Sequence, residues 1–236
     1  MNVRRIPRFV GAVTVALGAV TMGAAAPSAS AEPCPDVQVV FARGTGEPPG
    51  VGGVGQAFVD ALRAQSGGRS VDVYAVNYPA SNDFADQLAF AGTVVDGIRD
   101  AGTHIQSMAA NCPATRMVLG GYSQGAVVAG FVTSAEVPAG VPAEYGSYIP
   151  EPLPTNVADH VAAVALLGKP SDVFLRDYGA PPIVIGPAYA GKTIELCAPG
   201  DTICDGTVGG GPTIAHVLYP MNGLVDQAAA FSAGRL

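Results

Sequence analysis

The feature that most constrains this chain is an alternation. Five short, nearly continuously apolar runs rich in β-branched residues, at 37–42, 71–77, 116–120, 161–167 and 193–197, are separated by longer segments with spaced apolar positions. Runs of strand length without polar alternation are buried on both faces of a sheet, and helix-length segments between them build βαβ units. The expected fold class is therefore α/β, with a central five-stranded parallel sheet flanked by helices in three layers.

The helical segments are expected at 56–65, 83–110, 124–134 and 214–231, with Pro220 kinking or ending the last. Within 87–108, Leu88, Ala91, Val95, Ile98 and Ile105 fall at three- and four-residue steps, which predicts one buried stripe. The stretch 137–154 carries five prolines, at 138, 142, 150, 152 and 154, and reads as a loop insertion. Only two strands follow it, too few for an independent core, so one domain is expected.

Arg4, Arg5 and Arg8 precede an apolar run from Val10 to about Gly23, and Ala29-Ser30-Ala31 has the A-x-A form of a signal-peptidase site. Residues 1–31 are read as a cleaved signal peptide and 32–236 as one secreted domain, free or retained at the cell wall. The run is shorter than the roughly 20 residues of a membrane-spanning helix, so no span is expected after cleavage. The remaining chain has 9 basic and 19 acidic side chains, a net charge of -10, with no basic cluster. Nucleic acid is therefore not an expected partner.

Four cysteines, Cys34, Cys112, Cys197 and Cys204, lie beyond the signal segment, and an even number in an exported chain implies two disulfides. Three pairings exist. The spacing favours Cys197 with Cys204, around the turn-forming Gly200 and Asp201, and Cys34 with Cys112. In the loop-entropy picture the long bridge contributes roughly 4 kcal/mol and the short one about 2. His104, His160 and His216 show no metal-ligand spacing, so neither a metal nor another cofactor is expected.

The chemistry centres on Gly121-Tyr122-Ser123-Gln124-Gly125, a G-x-S-x-G motif between a predicted strand and a predicted helix. This is the context of a nucleophile elbow, where side chains flanking the strained serine would clash with strand and helix. A serine hydroxyl needs a histidine base and a carboxylate to hold the imidazole. His160 opens a predicted strand and reads as structural, which leaves His216, beyond the last strand. Asp201 follows the fifth strand inside the Cys197 to Cys204 ring and is favoured over Asp205 just outside it. At the end of the first strand, the turn Arg43-Gly44-Thr45-Gly46 can offer donors to an oxyanion, with Thr45 completing a hole beside the Gln124 amide. Arg43 is expected to bind a carboxylate or backbone carbonyl.

These residues resemble the cutinase family of secreted serine esterases, particularly its actinobacterial branch. Ala42-Arg43-Gly44-Thr45, the Ser123 pentapeptide, Cys197-Ala198-Pro199-Gly200-Asp201-Thr202-Ile203-Cys204 and Ala215-His216 stand in the family's order, across essentially the whole mature chain. The resemblance implies a small α/β-hydrolase without a large lid, Ser123 as nucleophile, Asp201 as acid, His216 as base and Thr45 with Gln124 as oxyanion hole. It also implies a Cys34–Cys112 bridge and a rim role for Asn82. Threonine stands at position 45 where fungal relatives have serine, which keeps the hydroxyl. The implied substrate is an ester with an apolar acyl chain, from a lipid or polyester, turned over by a monomer; ester rather than amide rests on the resemblance.

The sequence admits three rival readings. Gly50-Val51-Gly52-Gly53-Val54-Gly55 satisfies the dinucleotide fingerprint G-x-G-x-x-G, but lies eight residues beyond the first strand, and no acid closes the second; these glycines read as a flexible loop. A non-catalytic envelope-binding module would not need Ser123, Asp201 and His216 together. An acyltransferase would use the same three residues and differ only in what resolves the acyl-enzyme.

Overall fold

The computed structural model describes residues 33–139, 141 and 143–236, so the expected signal peptide lies outside the described residues. No described helix is long and apolar enough to cross a membrane.

Five strands, β1 (Val37–Ala42), β2 (Val71–Ala75), β3 (Arg116–Tyr122), β4 (Val161–Leu167) and β5 (Thr193–Leu196), pair in parallel in the order β2-β1-β3-β4-β5. Every residue of β1 and β4 is buried, as a doubly covered strand requires. The edge strands depart from that expectation: Asp72 on β2 and Glu195 on β5 are exposed, because an edge has no neighbour on one side. Strand β2 also stops at Ala75, two residues before the expected end, while β3 runs two further, to Tyr122.

Helices α1 (Gly52–Gln65), α2 (Gln87–Asn111) and α3 (Gln124–Val132) fill the first crossovers. Between β4 and β5 stand two short helices that no apolar periodicity announces, α4 (Asp172–Asp177) and α5 (Pro187–Ala190). The expected C-terminal helix is broken: α6 (Ile214–Val217) gives way to a 3-10 turn at Tyr219–Met221, and α7 (Leu224–Ala233) starts after Gly223, whose φ is 82°. Pro220 is the cause, since it cannot donate within a continuing helix.

Two cores result. Phe58 and Leu62 of α1 and Ala228 and Ala229 of α7 cover one face of the sheet, over Val39, Phe41 and Leu167. Ile105 of α2 and Val128 of α3 cover the other, over Leu119 and Leu166. The disulfides are Cys34–Cys112, which ties the start of this unit to the end of α2, and Cys197–Cys204.

Two expectations are overturned here. The glycines at 52, 53 and 55 form the first turn of α1 rather than a flexible loop. A Cβ at Gly52 would lie 2.1 Å from the Glu47 carboxylate, and one at Gly55 would lie 2.6 Å from the Phe41 ring, so they are small because neighbours press on them. The second concerns α2, whose buried residues are Val94, Gly97, Ala101 and Ile105. Of the predicted stripe Ile105 is buried, Val95 and Ile98 are half-buried, and Ala91 and Leu88 are exposed, Leu88 to 60%.

Candidate active site

The chain visits β1, leaves for β2 on one side, and returns to β3 on the other, so the sheet's direction of growth reverses between β1 and β3. Crevices at the carboxyl ends of strands form at such a point. Thr45 follows β1 and Ser123 follows β3, which brings both to it.

Ser123 joins β3 to α3 with φ 54°, a left-handed conformation unusual for a non-glycine residue. Its two flanking glycines are sterically compelled. A Cβ at Gly121 would lie 2.0 Å from the Gly125 carbonyl oxygen, and one at Gly125 would lie 1.9 Å from that of Ala42. The Ser123 amide donates to Leu167 O at 2.9 Å, which fastens the turn to β4.

His216 Nε2 lies 2.9 Å from Ser123 Oγ, and His216 Nδ1 lies 2.8 Å from Asp201 Oδ2. With Asp201 ionised, Nδ1 carries the proton and Nε2 is free to accept from the serine. All three side chains are buried, Asp201 completely. Burial alone would raise the Asp201 pKa, but the His216 and Tyr219 hydrogen bonds, the His216 charge and the Ile203 amide outweigh it, and the carboxyl is held below its usual value.

Asp201 is positioned by its own loop. Its amide donates to Ala198 O, and the amides of Cys204 and Asp205 donate to its carbonyl, all within the reach of the Cys197–Cys204 bridge. Asp205, the rival acid, is exposed, and its carboxylate accepts from the Thr207 amide instead. His160 stands at the opposite edge of the sheet, before β4, with Nδ1 3.1 Å from Pro113 O. Cys197, Asp201 and Cys204 bring three ligand-type atoms together, but the two sulfurs are bonded to each other, so the cluster has no thiolate to offer a metal.

The turn after β1 is braced from beneath. Arg43 is buried and donates to the carbonyls of Glu47, Val76 and Tyr78, matching the expectation of a backbone partner. Glu47 Oε2 accepts from the Gly44 amide at 2.6 Å, and Oε1 from the Gly53 amide at 2.7 Å, so one carboxylate links the turn to the start of α1. Thr45 lines the same cleft as Ser123, Gln124 and His216. The Gln124 amide opens α3 and so has no acceptor within the helix. A Cβ added at Gly46 would lie 3.8 Å from Asn82 Nδ2, which sets the Asn82 amide against this turn.

Two supporting residues escaped the sequence reading. The Tyr219 hydroxyl donates to Asp201 Oδ2 at 2.9 Å and accepts from the Ala198 amide at 3.0 Å. The Tyr122 hydroxyl donates to His216 O.

The match to known proteins agrees with this geometry. The model of the family described as Cutinase matches residues 33–236. The chain belongs to the cutinase family. A "Probable carboxylesterase Culp7" of Mycobacterium tuberculosis is 60% identical over 173 residues, 73% of this chain and 89% of the relative. A "Carboxylesterase Culp1" of Mycobacterium bovis is 49% identical over an alignment of 240 residues, 100% of this chain and 98% of the relative. Among solved structures, a Trichoderma reesei cutinase bound to a phosphonate inhibitor superposes with TM-score 0.60 at 33% identity, over 86% of this chain and 77% of that one. The catalytic core of an acetyl xylan esterase from the same fungus gives 0.65 at 26% identity, over 86% and 100%. This cutinase-family chain is thus an ester hydrolase on an α/β-hydrolase fold, a parallel sheet flanked by helices.

Proposed function

We propose that Ser123 is the nucleophile, His216 the general base and Asp201 the acid that orients it, acting on carboxylic esters with an apolar acyl chain. The observation that carries this reading is the unbroken hydrogen-bond chain from Asp201 through His216 to Ser123 Oγ, opening into a mainly apolar cleft. His216 takes the Ser123 proton as Oγ attacks the ester carbonyl, and the oxyanion rests on Thr45 and the Gln124 amide. His216 then protonates the departing alkoxide. Water attacks the acyl-enzyme with His216 as base, the acid leaves, and Ser123 recovers its proton. Asn82 supports the Thr45 turn.

The proposal extends to the rest of the chain. Residues 1–31 direct export and are removed, and 32–236 act as one secreted domain, a monomer, in an oxidising compartment that suits two disulfides.

The deciding experiment is hydrolysis of p-nitrophenyl esters from acetate to palmitate by purified residues 32–236, beside Ser123→Ala. Turnover lost by at least about a thousandfold in the variant supports the reading. Folded, oxidised protein that turns over no ester overturns it, and release of acyl product only in the presence of an acceptor alcohol would make it an acyltransferase.

A further inference from the structure

The Glu47 carboxylate holds two backbone donors that belong to different elements. Oε2 accepts from the Gly44 amide, in the turn after β1, and Oε1 from the Gly53 amide, in the first turn of α1. The N-cap residue of α1, Val51, makes no side-chain cap bond, so Glu47 pairs a helix amide from outside the helix. A serine or aspartate at position 51 would have served α1 as well. Capping therefore does not explain why the other oxygen of Glu47 is spent on Gly44, the residue before Thr45.

Thr45 is fixed through both of its neighbours. Gly44 is held by Glu47, and the Gly46 amide donates to Ala80 O at 2.7 Å. Ala80 is itself held at φ 49°, and backbone strain of this kind collects at functional sites. The turn is closed on its far side as well, since the Glu47 amide donates to Gly44 O at 3.3 Å and Arg43 Nε donates to Glu47 O at 2.8 Å. Between these anchors the Thr45 amide and hydroxyl have no hydrogen-bond partner among the described residues, and Thr45 lines the cleft with Ser123. A donor gripped by its neighbours and unpaired itself suits an oxyanion, because nothing has to be released before it can donate. The sign of the Glu47 charge points the same way. Glu47 lines this cleft too, and a carboxylate there opposes negative charge developing on the ester oxygen. A neutral side chain would serve better if only the field mattered.

We infer that Glu47 is a positioning residue for the proposed reaction: by bridging the Gly44 and Gly53 amides it locks the Thr45 turn to α1 in the geometry that receives the oxyanion. It acts through Thr45 and does not touch substrate. The bridge calls for a carboxylate because both amides donate; a carboxamide offers an acceptor to one and an N–H to the other.

The role assigned to Glu47 rests on the proposed roles of Ser123 and Thr45, and the test separates them. Hydrolysis of p-nitrophenyl butyrate and urea unfolding are measured for the wild-type protein, Thr45→Ala, Glu47→Gln and the double variant, with rates scaled to folded protein. Thr45→Ala is expected to lower kcat by about 10²-fold, as loss of an oxyanion donor does. Glu47→Gln is expected to lower kcat by about 10- to 100-fold with KM within about twofold, although it removes an opposing charge. The double variant should fall short of the product of the two losses by at least about fivefold, because the slackened turn then carries one donor fewer. A helix cap alone would lower the urea midpoint and leave the kcat of folded protein unchanged. Wild-type or raised kcat in Glu47→Gln, or single losses that multiply in full, overturns the role of Glu47 alone. If Glu47→Gln does not fold, Glu47→Asp, one methylene shorter with the charge kept, is expected to show the same loss of kcat at unchanged KM, and wild-type kcat there overturns the role equally. Wild-type kcat in Thr45→Ala removes Thr45 from the oxyanion hole, and Glu47 with it. Absence of turnover by the folded wild-type protein on any ester overturns the catalytic reading itself.

Discussion

The two flanks of Ser123 are built from opposite materials. On the His216 side the functional groups are fastened by polar bonds: Asp201 holds His216, Tyr219 and the Ile203 amide hold Asp201, and a seven-residue disulfide spacing closes the loop. On the α2 side, apolar side chains stand open to a cavity, and Arg99 to Tyr148 O is a polar tie across it. The first flank must keep an imidazole within hydrogen-bond reach of a hydroxyl through the reaction, and directional bonds do that. With the proposed ester substrate the second meets methylenes, which have no direction to satisfy, so area and shape suffice.

That contrast sets the order of expected effects. The largest belongs to the acid. Asp201→Asn leaves the fold intact and lowers kcat by roughly 10³- to 10⁴-fold, because the imidazole loses its orienting acceptor; Asp205→Asn stays within about twofold. Equal losses in steady-state kinetics would move the fastened flank to Asp205 and break the comparison.

The two bridges come next, and they separate stability from activity. Replacing Cys34 and Cys112 by alanine costs roughly 4 kcal/mol in urea unfolding, while the kcat of the folded fraction is kept. Replacing Cys197 and Cys204 costs about 2 kcal/mol and lowers kcat as well, since Asp201 sits in that loop. Retained kcat in the second pair would show that hydrogen bonds alone hold the acid.

Tyr219→Phe is smaller again. It removes one donor from Asp201 and leaves the Ala198 amide without its acceptor, for about 1–2 kcal/mol of stability and about tenfold in kcat. The same carboxylate sets an acid limit. Its folded pKa lies below the unfolded value, so its contribution to stability is present above that value, near pH 4, and is lost as pH falls through the folded pKa. Unfolding curves between pH 5 and 2 for wild type and Asp201→Asn check this: the wild-type advantage should shrink with acid.

The smallest effect sharpens the other flank. Leu88→Ala should change stability by less than about 0.5 kcal/mol, because Leu88 is mostly exposed, whereas Ile105→Ala on the same helix should cost about 2–5 kcal/mol. Comparable costs at the two positions would mean that the Leu88 face is core after all.

The sheet and the grouping of Ser123, His216 and Asp201 were legible in the sequence because their signals are local. Central strands are apolar throughout, Gly121 is dictated by the turn it flanks, and Asp201 is marked by the cysteines around it. What the sequence concealed depends on neighbours distant in the chain. In the first turn of α1, Glu47 occupies the space a side chain would need at Gly52, and the Phe41 ring that at Gly55. A three- and four-residue pattern along α2 shows that a face is apolar, but not whether the sheet or a cavity meets it. Tyr219 acts through Asp201, 18 residues earlier, a contact that no periodicity announces.

Chain order gives the Ser123 to His216 contact a consequence in time. Ser123 precedes His216 by 93 residues, and Asp201 lies between them. During synthesis, which proceeds from the N-terminus at about 5–20 residues per second, the strand that bears the serine is made several seconds before the segment that activates it. A nascent or truncated chain therefore carries the serine without the histidine, and on the proposed roles esterase activity begins only when the segment after β5 has packed beside Ser123.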